Sequence, residues 1–344
     1  MMIYSYCKMK VKTLFKFLAI IAVIAFSLSC SKIEQGFLSD TIRYRDNVIF
    51  AKRGMTLTLS DRINADGSTP PFTFKMLNLR HKATGEPAPS EFFTEYDVEV
   101  FKDGMTFNAA TDTTVELLNA KRELKQVTPM EFNEVSGQIS FNRASANLPL
   151  GEYIFDLEAS NRWGTKFYES FAEIHVVDPT NDELYEVTTL QNNASTSAEV
   201  FTGLSAPRFS VTKISNDGAR VILKIVDRNG DAFNPAEGEI IKRGDRPMFE
   251  TYAKFNEVIV TDTALICDFE VAPFPLAAYN DGVTDWGWLH YYRIPSQYVI
   301  IEGQPNSAAN PAFSYQIKME GTYVVEVKMM ETTRIAGGAP PMDN

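Results

Sequence analysis

The residues best suited to grip a ligand lie close together in the last fifth of the chain. Asp285-Trp286-Gly287-Trp288-Leu289-His290-Tyr291-Tyr292 is the densest aromatic run, with Tyr279 before it and Tyr298 after it. Aromatic faces stack on the apolar faces of sugars, while nearby Asp and Asn side chains take the hydroxyls. Trp286, Trp288, Tyr291, Tyr292, Tyr279 and Asp285 therefore form the candidate ligand-binding set. Two readings compete with it. Large aromatics are usually at least partly buried, and tryptophan and tyrosine also dominate protein–protein contacts. Trp163 is a lesser candidate, at the tip of an expected hairpin, where folding back over a sheet edge is the alternative.

Other patterns carry less chemistry. Asp227-Arg228-Asn229-Gly230-Asp231 begins like a calcium loop, but an EF-hand needs glycine at its sixth position and glutamate at its twelfth. Ala232 and Gly238 stand there, so the segment reads as a turn and no metal is assigned. Arg243-Gly244-Asp245 matches the integrin-binding tripeptide and is set aside as coincidence. His81, His175 and His290 make no paired-histidine zinc motif, and His175, inside an apolar strand, reads as structural. There is no nucleophile elbow and no phosphate loop. Paired carboxylates of a glycosidase need only suitable separation in space, so 44 acidic residues leave a hydrolase as a third choice. The expectation is a non-enzyme without a cofactor.

The elements that must position these residues read as strands. Met55, Leu57 and Leu59 alternate with polar residues, as do Tyr96, Val98 and Val100; Tyr153, Phe155 and Leu157 alternate around Asp156 and Glu158, and Tyr323, Val325, Val327 and Met329 with Val324, Glu326 and Lys328. Period two with one polar face predicts antiparallel, half-buried sheet. Lys102-Asp103-Gly104, Asn216-Asp217-Gly218 and Asn229-Gly230-Asp231 supply hairpin turns, the last two suggesting a three-strand meander. One helix is expected over residues 115–126. Asp178-Pro179-Thr180-Asn181-Asp182 marks a boundary.

The start of the chain reads as an address. Lys8, Lys10, Lys12 and Lys16 precede an apolar run over residues 17–26 and then Ser27-Leu28-Ser29-Cys30. This is the layout of a secretory signal peptide, too short to span a bilayer, which takes roughly 20 residues. Small residues before Cys30 resemble a bacterial lipobox, with Ser27 where leucine is usual. Lipidation of Cys30 would give a membrane anchor. Removing the leader, with four lysines and no acids, takes 33 basic residues to 29 against 44 acidic, a net charge of about −15. That balance excludes nucleic acid as a partner. Of Cys7, Cys30 and Cys267, only the last remains for the folded body, so a disulfide framework is excluded.

The expected organisation is all-β: a signal peptide over 1–29, a lipidated tether over 30–40, an immunoglobulin-like β-sandwich over 41–179, a second β-rich sandwich domain with the aromatic segment over 180–336, and a flexible tail over 337–344. The hairpin within residues 148–177 is similar to the closing hairpin of immunoglobulin-like and cadherin-like modules. The lipoprotein start, the sandwich-like first half and residues 286–296, with Trp-Gly-Trp and Tyr-Tyr-Arg-Ile-Pro-Ser, resemble a Bacteroidota surface lipoprotein family of unknown function. That family is associated with starch-utilisation-type outer-membrane importers. The resemblance implies an accessory subunit that captures glycan, or a peptide, for a TonB-dependent channel, or a purely structural subunit of such an importer. It brings no catalytic residues with it. Asp40-Thr41-Ile42, Asp112-Thr113-Thr114 and Asp262-Thr263-Ala264 resemble the short O-glycosylation acceptor of that phylum. Only Glu34 follows Cys30 closely, which leaves surface or periplasmic facing open.

Overall fold

The computed structural model describes residues 36–196, 200–269 and 271–338. The expected leader, Cys30, the tether up to residue 35 and the tail from residue 339 lie outside the described residues. The fold is all-β and of sandwich type.

In the first half, β1 (Val48–Lys52), β2 (Thr73–His81), β3 (Gly151–Asn161) and β4 (Gly164–Val177) form one sheet in the order β1-β4-β3-β2. β1 runs parallel to β4, and the other pairs are antiparallel. A second sheet of Leu57–Leu59, Ile139–Asn142 and Met130–Phe132 supplies Ile139 and Phe141 to the same core as Phe155 and Ile174. Tyr153, Phe155 and Leu157 point inward as their alternation predicts. Asp156, between them, is buried on the other face. Burial alone would raise its pKa, but Ser170 N–H, Asn78 and Arg80 donate to its carboxylate and leave the pKa lowered.

The expectations for Leu57 and Leu59 and for the helix are corrected here. Leu57 and Leu59 face solvent, because Thr58 is the residue opposite Phe141 and so shares the inner face. The helix expected over 115–126 stops at Asn119. Residues Arg122–Val127 pair as a strand with Tyr96–Phe101, leaving Leu124 71% exposed. His175 points away from the core that takes Ile174 and Val176, toward Glu173. Within the expected tether, residues 36–40 meet the body: Ser39 N–H donates to Ser68 Oγ, and Ser39 Oγ donates to Asp66, each at 2.9 Å. Gly36 sits against the Trp163 ring, where an added Cβ would come within 2.8 Å of it.

In the second half, the strands are β5 (Tyr185–Ser195), β6 (Phe201–Leu204), β7 (Arg208–Ser215), β8 (Ala219–Val226), β9 (Ile241–Lys242), β10 (Ile259–Val260), β11 (Leu265–Asp268), β12 (Leu289–Arg293), β13 (Ala308–Ile317) and β14 (Gly321–Lys328). One antiparallel sheet has the order β6-β5-β13-β12-β9, and the facing one β7-β14-β8-β11-β10. Ala194, Phe313 and Tyr315 from the first meet Val221, Leu223 and Val325 from the second in a core distinct from that of the first half. The expected meander does not form. β14 lies between β7 and β8, antiparallel to one and parallel to the other, so the turn at Gly218 links strands that are not neighbours. Across the junction, Lys52 pairs with Glu183, and Arg143 reaches Glu320 at 2.5 Å.

Candidate functional site

Strand β12 divides the aromatic run between two faces. Leu289–Arg293 alternates, so His290 and Tyr292 enter the core while Tyr291 and Arg293 face outward. Tyr292 is 2% exposed; its hydroxyl accepts Phe249 N–H at 2.8 Å and donates to Glu250 at 3.3 Å. Burial and the nearby Glu250 carboxylate raise its pKa well above the usual phenol value. It cannot meet a ligand, and its place in the expected set is corrected to packing. Burial also holds His290 down to about pKa 3, with its ring stacked against Phe313 and Tyr315. Trp288 is partly buried against the same core.

The remaining candidates stay near the surface. Trp286 stands on the hairpin formed by Tyr279–Asn280 and Asp285–Gly287. Its indole N–H donates to Asp281 at 2.8 Å, and the Arg246 guanidinium lies 4.5 Å from its ring centre. That hydrogen bond, with the Thr284 and Val283 N–H groups, holds the Asp281 carboxyl below the usual range. Asp285 is exposed and accepts Gly287 N–H at 3.1 Å. Tyr279 lines a recess of about 290 Å³ with Tyr252, Phe255, Phe269 and Leu276.

Residues that sequence spacing did not group complete this surface. The segment after β9 folds back along β12, fixed by Tyr291 N–H donating to Pro247 O at 2.8 Å. Arg243 is thereby laid between two rings, 4.6 Å from Phe201 and 4.7 Å from Tyr291. Beneath it Arg243 Nε donates to Asn310 Oδ1 at 3.0 Å, Asn310 Nδ2 donates to Ser195 Oγ at 3.0 Å, and Arg293 Nη2 donates to the same oxygen at 2.9 Å. The floor is small, with Ala312 opposite Tyr291 and Ala308 opposite Ser195. Stacked guanidinium planes hold the rings in place and extend the flat platform. The tripeptide at Arg243 is thus a structural element of this face.

Two other clusters are accounted for without a ligand. Asp227 is fully buried, and although burial works to raise its pKa, N–H groups of Arg334, Asp231, Asn229 and Gly230 leave it lowered. Its carboxylate is consumed by the turn. Glu152, Glu173 and His175 lie close enough to hold an ion, but the Lys82 ammonium already sits 3.3 Å from Glu152 and 2.8 Å from Glu173.

No family model and no curated protein matches the chain. Among solved structures it is similar to a SusE-like surface-located polysaccharide-binding protein from the heparin utilisation locus of Bacteroides thetaiotaomicron, at 10% identity and a TM-score of 0.24, over 84% of this chain and 53% of that one. The chain thus spans about half the length of that protein. A likeness to the extracellular cadherin domains 1–4 of protocadherin gamma B7 has 10% identity and a TM-score of 0.12, over 81% and 76% of the two chains. Neither likeness is close enough to assign a function.

Proposed function

We propose that the protein is a non-enzymatic, glycan-binding accessory subunit of a TonB-dependent uptake system, held at the outer membrane by lipid on Cys30. In this reading residues 41–179 and 180–336 are two domains, and the second carries the binding face. The observation that supports it is the half-exposed strip of Trp286 and Tyr291, each held by a stacked arginine, beside the recess under Tyr279. Flat rings flanked by guanidinium donors suit a pyranose, with its apolar face and its rim of hydroxyls. Trp286→Ala with Tyr291→Ala should abolish retention in native gels containing a polysaccharide that slows the wild type, while Tyr292→Phe leaves retention intact. Unchanged retention of the double variant sinks the site. A fatty-acid analogue should label the protein through Cys30, and Cys30→Ser should lose the label.

A second reading, a structural subunit of the importer, is favoured by the hairpin of Tyr96–Phe101 and Arg122–Val127, with Leu124 and the nearby Leu117 exposed. Apolar surface of that kind suits a protein contact. Leu124→Lys should then abolish co-purification with the channel while glycan retention stays unchanged.

A further inference from the structure

We infer that the ligand of this face is an acidic glycan, whose carboxylate or sulfate groups are read by Arg243, Arg246 and Arg293. The inference rests on the glycan-binding reading and adds the class of sugar.

Charge is where the face departs from the rest of the molecule. The whole chain is acidic, at a formal −11. Elsewhere the semi-buried arginines are neutralised by carboxylates: Arg80 by Asp156, Arg53 by Asp178, Arg143 by Glu320 and Arg334 by Glu239. Among the described residues, Arg243 and Arg293 meet no carboxylate within 4.0 Å. Arg246 meets only the exposed Asp245, at 3.9 Å. Two of the three cations gathered on this face therefore lack a carboxylate partner, and the third has only a long, exposed one.

The geometry leaves them able to bind. Arg243 uses Nε on Asn310, and its guanidinium carbon lies 4.6 Å from the ring centre of Phe201 and 4.7 Å from that of Tyr291. Its two terminal nitrogens have no hydrogen-bond partner among the described residues. Two such nitrogens form the fork that grips an oxyanion with two parallel N–H bonds. Arg246, over Trp286, repeats the ring-and-guanidinium unit on the neighbouring hairpin. A neutral sugar would need only the rings; it gives no reason for two arginines without a carboxylate partner and a third with only a loose, exposed one. An acidic sugar uses both, with its ring against Trp286 or Tyr291 and its charged group on a guanidinium edge.

The test uses the full chain in mild detergent and native gels containing unsulfated chondroitin, chondroitin sulfate or neutral galactomannan. Retention is expected on one or both chondroitins, and Arg246→Gln and Arg243→Lys should each weaken it by about tenfold. Arg246 is on the surface, so its replacement does not depend on the fold tolerating a change at Arg243. Retention that survives desulfation assigns the carboxylate; retention only on chondroitin sulfate assigns the sulfate. Chondroitin retention unchanged by both arginine variants overturns the inference. Retention on galactomannan alone, lost in Trp286→Ala but kept in Arg246→Gln, overturns the acidic assignment and leaves the glycan reading standing. Retention on none of the three overturns both.

Discussion

The ion pair between Glu239 and Arg334 fixes the base of the segment that carries Arg243 and Arg246, and removing it should be measurable in two ways. Glu239 is fully buried; Arg334 grips it through Nε at 2.5 Å and Nη2 at 2.7 Å, and Asn234 N–H adds a third contact at 2.9 Å. Breaking a buried pair by removing one partner costs about 3–5 kcal/mol, because the other charge stays buried and uncompensated. The Arg334 side chain is 21% exposed, so water can enter the vacated site, and about 3 kcal/mol is expected for Arg334→Ala. Urea unfolding followed by tryptophan fluorescence reads the loss, since Trp286 and Trp288 both lie in this half. Adding Glu239→Gln removes the stranded charge and should restore roughly 1–2 kcal/mol. Retention on the glycan should fall in Arg334→Ala as the segment loosens. A loss below about 1 kcal/mol, or a double variant no more stable than the single one, would refute the reasoning.

Two further outcomes follow from buried groups. His290 is depressed from 6.5 to about 3, so between those values the unfolded chain takes up a proton that the folded chain refuses. Stability therefore falls as pH drops through that window. His290→Phe should flatten the fall in urea midpoint between pH 6.5 and pH 4, and an unchanged slope would show that other groups cause it. At Gly321, φ is +144° and an added Cβ would stand 2.7 Å from Ser215 O. Gly321→Ala should cost about 1–3 kcal/mol, against no loss expected at the unobstructed Gly164; equal effects in thermal melts would contradict this.

The all-β character was readable because alternation reports a two-faced sheet whatever the partners are. Which face points inward was less readable for short strands. Thr58 faces the core only because Phe141, some eighty residues later, is its neighbour. The same limit split the aromatic run: Tyr291 and Tyr292 are adjacent in sequence and opposite in space, and only the pairing of β12 with β13 decides which is exposed. Phe201, Arg243, Arg293 and Asn310 are scattered over more than a hundred residues, so no spacing rule could gather them. The one local signal was Arg243-Gly244-Asp245, which looked like a chance tripeptide because the rings that clamp it are distant in the chain.

The insertion of Gly321–Lys328 between two strands made a hundred residues earlier has a consequence for how the body is assembled. Until that late segment arrives, Arg208–Ser215 and Ala219–Val226 each present an unfilled row of amides and carbonyls, the kind of edge that recruits stray chains. Closure must bridge a long stretch of polypeptide and is intrinsically slow. A chain interrupted before Gly321 should therefore aggregate rather than persist as a smaller folded piece.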